Sequence, residues 1–146
     1  MTKLEKAIEF ATKAHSGQTH ESGSPYILHP LRVMLSLHKA GESETAQIVG
    51  VLHDTVEDTP TTVTAVRFFF TDEIADAVDA LTRRNEETYE SFIDRAADNA
   101  LARIVKLHDI EDNLALAKTD PLPEPRQSKL RNRYRAAQKT LLQITT

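Results

Sequence analysis

The sequence has no cysteine and no tryptophan, only four glycines, and an aromatic content of 5%. Without cysteine there are no disulfides and no thiolate metal ligands, which fits a cytosolic protein. No apolar run approaches the length of a membrane span. The first residues, MTKLEKAIEF, are amphipathic and lack the apolar stretch of a secretory signal. We therefore expect a cytoplasmic protein with no membrane partner. Charge of neither sign dominates. A net charge of -4 gives no basic surface for nucleic acid or anionic lipid. The absence of a basic recognition helix argues the same way.

What is present is an ordinary soluble balance of 40% apolar and 27% charged residues over 146 positions, enough for one domain with a real core. Apolar residues recur at helical spacing. Leu4, Ala7, Ile8, Ala11 and His15 mark a first helix over about 3–16. The stretch HSGQTHESGSPYILHP follows as an ordered loop. Pro30 suits a first helical position, so a second helix is expected from 30 to 40, with Gly41 past its end. A third is expected over 43–58, where Pro60 bars further extension. The β-branched and aromatic segment 61–70 has no partner strand and is read as a short helix. Thr71 then caps DEIADAVDALT. Further helices are expected over 89–98, 100–118 and 126–144, the last with Leu130, Tyr134, Ala137, Leu141 and Ile144 on its inner stripe. The reading is a single all-α domain over 1–146.

Within LHDTVEDT, at 52–59, one short stretch carries His53, Asp54, Glu57 and Asp58. On a continuous helix these four fall within an arc of about 140°. Acidic runs at helix ends are ordinarily solvated faces. Here the adjacent His and Asp are ligand types, and a divalent ion would relieve the repulsion among the carboxylates. Further ligands are available from His29, held between Pro25 and Pro30, and from Asp109 in VKLHDIEDN. Lys106, Asp109 and Asn113 form one polar stripe on an otherwise apolar helix. His108 lies about 100° away from Asp109 and should face elsewhere.

LHDTVEDT, with SPYILHP upstream and KLHDIEDNL downstream, resembles the HD superfamily. More narrowly it is similar to the hydrolase domain of RelA/SpoT proteins and to stand-alone small alarmone hydrolases of the metazoan SpoT homologue type. The likeness runs from about Ala7 to Leu114. It implies an all-α HD fold with one divalent ion, Mn²⁺, held by His29, His53, Asp54 and Asp109. It implies that Glu57 and Asp58 form the acid–base pair that activates water. The implied reaction removes the 3′-pyrophosphate of guanosine 3′,5′-bis(pyrophosphate), giving GDP and pyrophosphate. By the same carry-over Asn113 and Tyr134 would meet the substrate, with Lys106 and His20 as further contacts. The expected partner is a small nucleotide, and the reading leaves room for a homo-oligomer.

Two departures stand out. The loop after the first helix carries Thr19 and His20 where relatives usually have basic residues. Ile110, Glu111 and Asp112 follow Asp109 where a basic residue is usual, so a less positive rim is expected. Lys106, Arg83, Arg84, Arg131 and Arg133 remain as candidate phosphate partners, with plain surface charge the commoner reading of each. His15 reads as an inner-face histidine, His38 as solvent-facing, and Phe68, Phe69 and Phe70 as core. Two rivals remain open: an HD phosphohydrolase for another nucleotide or phosphorylated cofactor, and a non-catalytic nucleotide-sensing module.

Overall fold

Helix ends are set largely by side-chain caps. In the computed structural model, which describes residues 1–143, nine helices are formed among the described residues and no strand. They are α1 (Lys3–Ala14), α2 (Leu28–Lys39), α3 (Glu44–Leu52), α4 (Thr55–Asp58), α5 (Val63–Phe69), α6 (Asp72–Ala80), α7 (Tyr89–Ala97), α8 (Ala100–Thr119) and α9 (Arg126–Leu142). Thr2 and Glu5 form a reciprocal capping box at the start of α1. Ser43, Thr62, Thr71, Thr88 and Asn99 each accept a backbone N–H in the first turn of the helix they precede.

The main core joins Ala7 and Ala11 of α1, Val33 and Leu37 of α2, Val49 and Leu52 of α3, and Val78 of α6. A second cluster joins Phe92 and Ile93 of α7, Ile110 of α8, and Ala137 and Leu141 of α9. α2 and α3 pack closely at Gly50, where a Cβ would come within 2.6 Å of Leu37 Cδ1. That approach brings the start of α2 beside the end of α3, where the histidines sit. The loop before α2 is pinned by an isolated bridge between Thr19 and Pro25 and by Tyr26 N–H donating to Gln18 C=O.

The all-α single domain agrees with the sequence reading, with three corrections. The helix expected over 43–58 is broken. His53 ends α3, and Asp54, at φ -100° and ψ -1°, forms the turn into the short α4. Thr55 supports the break by donating its hydroxyl to the Leu52 carbonyl. Phe68 and Phe69 are exposed, at 81% and 62%, and only Phe70 packs against the core. α2 begins two residues earlier than expected, with Pro30 in its first turn, where a missing N–H costs no helical bond. Ile144 lies outside the described residues.

Candidate active site

His29 enters from the first turn of α2, His53 from the end of α3, Asp54 from the turn that follows, and Asp109 from the middle of α8. All four are buried. Their donor atoms converge. His29 Nε2 lies 2.8 Å from Asp109 Oδ1 and 3.6 Å from Asp54 Oδ2. His53 Nε2 lies 3.0 Å from Asp54 Oδ2 and 3.5 Å from Asp109 Oδ1.

The histidine tautomers follow from the outer contacts. His53 Nδ1 donates to the Gly50 carbonyl at 2.6 Å, so Nε2 faces the carboxylates. That Nε2 is buried and makes no hydrogen bond of sound geometry. His29 Nδ1 donates to Asp112 Oδ2 at 2.7 Å, and Arg32 Nε holds the other oxygen of Asp112 at 2.9 Å. Each ring is thus oriented through Nδ1 and offers Nε2 inward, the usual arrangement for a histidine ligand. Two imidazole nitrogens and two carboxylate oxygens, one nitrogen being a buried orphan, fit a divalent metal ion with N/O ligands. These residues could hold one.

The electrostatics agree. Burial works to lower both histidines, but hydrogen bonds to Asp109 and Asp112 push His29 up to about 9. The charges of Asp54 and Asp109 raise His53 as well. Burial works to raise Asp54 and Asp109, yet the histidines, and Lys106 in the case of Asp109, hold both below the usual carboxylate range. Tyr26 adds a neutral donor, its hydroxyl giving a hydrogen bond to Asp54 Oδ2 at 2.7 Å.

Three of the four residues border a cavity of about 430 Å³, and His53 is buried beside them. His29, Asp54 and Asp109 line it, and so do Glu57 and Asp58. Asp54, Glu57 and Asp58 bring carboxylate oxygens within 4.8 Å of one another. Burial raises Asp58 to about 7, helped by the charges of Asp54 and Glu57. Burial raises Glu57 too, while the Arg83 N–H, donating to its Oε1 at 2.6 Å, works the other way.

The remaining expected site residues divide. His20, Asn113 and Tyr134 line the cavity. Asn113 also donates to Asp109 Oδ1 at 3.2 Å. Lys106 lines it as well, but its ammonium is buried and donates to Asp109 Oδ2 at 2.7 Å, so it serves the Asp109 carboxylate first. His108 faces away and hydrogen-bonds Ser36 at 2.7 Å, as its helical position predicted. His15 is buried against Tyr26, with ring centroids 5.1 Å apart, and His38 is exposed.

Several residues were missed or misread. Asp112 was read as part of a less positive rim and instead orients His29. Of the arginines weighed between phosphate partner and surface charge, Arg83 and Arg133 line the cavity, as does Arg126, which the sequence reading does not name. Tyr26, whose hydroxyl donates to Asp54, is not among the site residues expected from the sequence. The alternation of burial along α8 was the available signal for Asp112: it lies three residues beyond Asp109, on nearly the same face.

A family profile described as HD domain matches residues 7–111. The chain belongs to the HD domain family. This HD domain is 33% identical over 120 residues to a guanosine-3′,5′-bis(diphosphate) 3′-pyrophosphohydrolase of Aquifex aeolicus, covering 77% of this chain and 17% of that protein. It is 30% identical over 141 residues to a GTP pyrophosphokinase of Myxococcus xanthus, covering 87% of this chain and 18% of the relative. The chain thus spans less than a fifth of the length of these relatives. A solved structure described as a metazoan ortholog of SpoT that hydrolyzes ppGpp superposes with a TM-score of 0.85 at 22% identity. The match covers 100% of this chain and 88% of that one, and it supports the HD fold.

Proposed function

We propose that this HD domain is a metal-dependent phosphohydrolase that removes the 3′-diphosphate from guanosine 3′,5′-bis(diphosphate), releasing GDP and pyrophosphate. One observation carries the reading: His29, Asp54 and Asp109, with His53 packed against them, line the same cavity as the pair Glu57 and Asp58. The names of the relatives supply the substrate class.

In this account the four side chains hold one divalent ion, Mn²⁺ suiting the mixed imidazole and carboxylate donors. When bound, the ion supplies positive charge for the anionic diphosphate and for the developing charge of the transition state. The chain's own residues do the proton work. Glu57, fixed by the Arg83 N–H, accepts a proton from the water that attacks the phosphorus bonded to the 3′ oxygen. Asp58, beside Glu57 on the cavity, delivers a proton to that oxygen as the P–O bond breaks. Tyr26 keeps Asp54 in place, and Asn113 steadies Asp109 from the cavity side.

The test is a product assay. The purified chain is incubated with ppGpp, with and without added Mn²⁺, and nucleotides are resolved by ion exchange. GDP and pyrophosphate that appear only with the metal support the reading. No turnover by protein shown to hold the metal rejects this substrate and this reaction.

A further inference from the structure

The cavity has two walls of opposite sign. Asp54, Glu57 and Asp58 form one, and residues of the α6–α7 loop, α7, α8 and α9 form the other. On that second wall three cations gather around one ring. Arg133 Cζ lies 4.9 Å from the Tyr89 centroid, Arg83 Cζ 5.6 Å and Lys106 Nζ 5.8 Å. Cation–π attraction holds each to the ring but does not cancel the repulsion among them.

Their partners differ. Lys106 is neutralised by Asp109, and Arg126, elsewhere on the cavity, by Glu21 at 2.7 Å. Among the described residues neither Arg83 nor Arg133 has a carboxylate partner. The Arg83 side chain makes one hydrogen bond, from Nε to the Glu87 carbonyl at 3.2 Å. The Tyr89 hydroxyl is buried and makes no hydrogen bond among the described residues. Two guanidinium forks and a phenol on a cavity wall, all with unspent donors, match the oxygens of a phosphate group.

We propose that Arg83, Tyr89 and Arg133 form a second anion subsite, which takes a phosphate or diphosphate on the substrate remote from the one cleaved. The ligand is then a nucleotide phosphorylated at two separate positions. One group meets the His/Asp centre and the other this wall. The proposal deepens the hydrolase reading and depends on it only for the identity of the nucleotide. Arg83 also joins the two regions through its backbone, since its N–H holds Glu57. Side-chain substitutions leave that amide in place.

GDP serves as the probe, because it carries a diphosphate and lacks the scissile one. Its affinity for the full chain is measured by calorimetry for the parent, Arg83→Gln, Arg133→Gln and Arg133→Lys, with guanosine as the phosphate-free control. Each Gln variant should bind GDP about tenfold more weakly or worse, the loss expected for a charge-assisted hydrogen bond. Arg133→Lys should fall between, and guanosine should bind far more weakly than GDP. With ppGpp, KM should rise in the Gln variants while kcat changes little.

If the parent does not bind GDP, if guanosine binds as well, or if folded Gln variants bind GDP like the parent, the subsite is refuted. Should a Gln variant fail to fold, Arg133→Lys decides the matter by the same comparison. If the parent fails to turn over ppGpp while GDP binding still depends on Arg83 and Arg133, the subsite stands and the hydrolase reading falls.

Discussion

Asp112 accepts a hydrogen bond from Nδ1 of His29 at 2.7 Å and thereby turns Nε2 of that ring toward Asp54 and Asp109. Arg32 fixes the same carboxylate from behind. Asp112 is therefore a positioning residue. Asp112→Ala should weaken Mn²⁺ binding by about 10–100-fold, the range found when such outer partners are removed. Calorimetric titration of Mn²⁺ into the variant checks this. An affinity equal to the parent's would show that the ring is held without it.

Lys106 places an ammonium against Asp109, with the Phe92 ring 5.1 Å away. Lys106→Met removes one cation from the buried Asp109, which keeps His29 and Asn113, and should cost about 1.5–3 kcal/mol, the range for a hydrogen bond to a charged group. A divalent ion bound by Asp109 would replace part of the lost charge. Urea unfolding should therefore show a larger loss in chelator than in Mn²⁺. Equal losses under the two conditions would mean that Asp109 and the ion do not interact.

Stability should depend on pH in a defined direction. His29 is raised from 6.5 to about 9, so its contribution is full below about pH 6.5 and lost as pH rises through 9. His53 shifts the same way. Asp58 is raised from 3.8 to about 7, so its ionisation adds a penalty that grows above 3.8 and is complete above 7. Asp54 and Asp109 are lowered, and their contributions are lost only in acid, below the ordinary 3.8. The Tm of chelated protein should thus fall between pH 6 and pH 9. Because an ion must displace the histidine protons, the Tm gain on adding Mn²⁺ should be larger at pH 8.5 than at pH 6. Thermal melts at the two pH values decide it, and a gain that shrinks as pH rises would contradict the assignment.

Glu57 and Asp58 lie on the cavity but outside the quartet. Glu57→Gln should lower kcat by about 10²–10⁴, the usual contribution of a general base, with little change in KM. Steady-state kinetics on ppGpp measures the split. A variant that kept full kcat would remove Glu57 from the chemistry.

Much of this was legible in the sequence. Apolar spacing gave the helices and Thr71 marked one of their starts, because local capping and one-sided burial decide those features. The candidate ligand set was legible through the resemblance of the three motifs around His29, His53–Asp54 and Asp109. The break at His53 was not. An unbroken wheel places Asp54 about 100° from His53, whereas the turn at Asp54 lets both reach one point. Arg83 and Arg133 stayed undecided between phosphate partner and surface charge for a different reason. Whether an arginine meets solvent or a cavity depends on how the α6–α7 loop and α9 pack, and neither shows that contact in its own sequence. Phe68 and Phe69 misled in the opposite sense: three consecutive aromatic residues cannot all share one buried face of so short a helix.

The central claim is that one ion is held by four particular side chains and that the acid–base pair stands apart from them. Metal content per chain, measured on Mn²⁺-loaded and desalted protein, tests it most directly. The account predicts about one ion in the parent and in Glu57→Gln, and almost none in Asp54→Ala and Asp109→Ala, as expected when a ligand of a four-donor set is removed. Full metal content in both aspartate variants would contradict it.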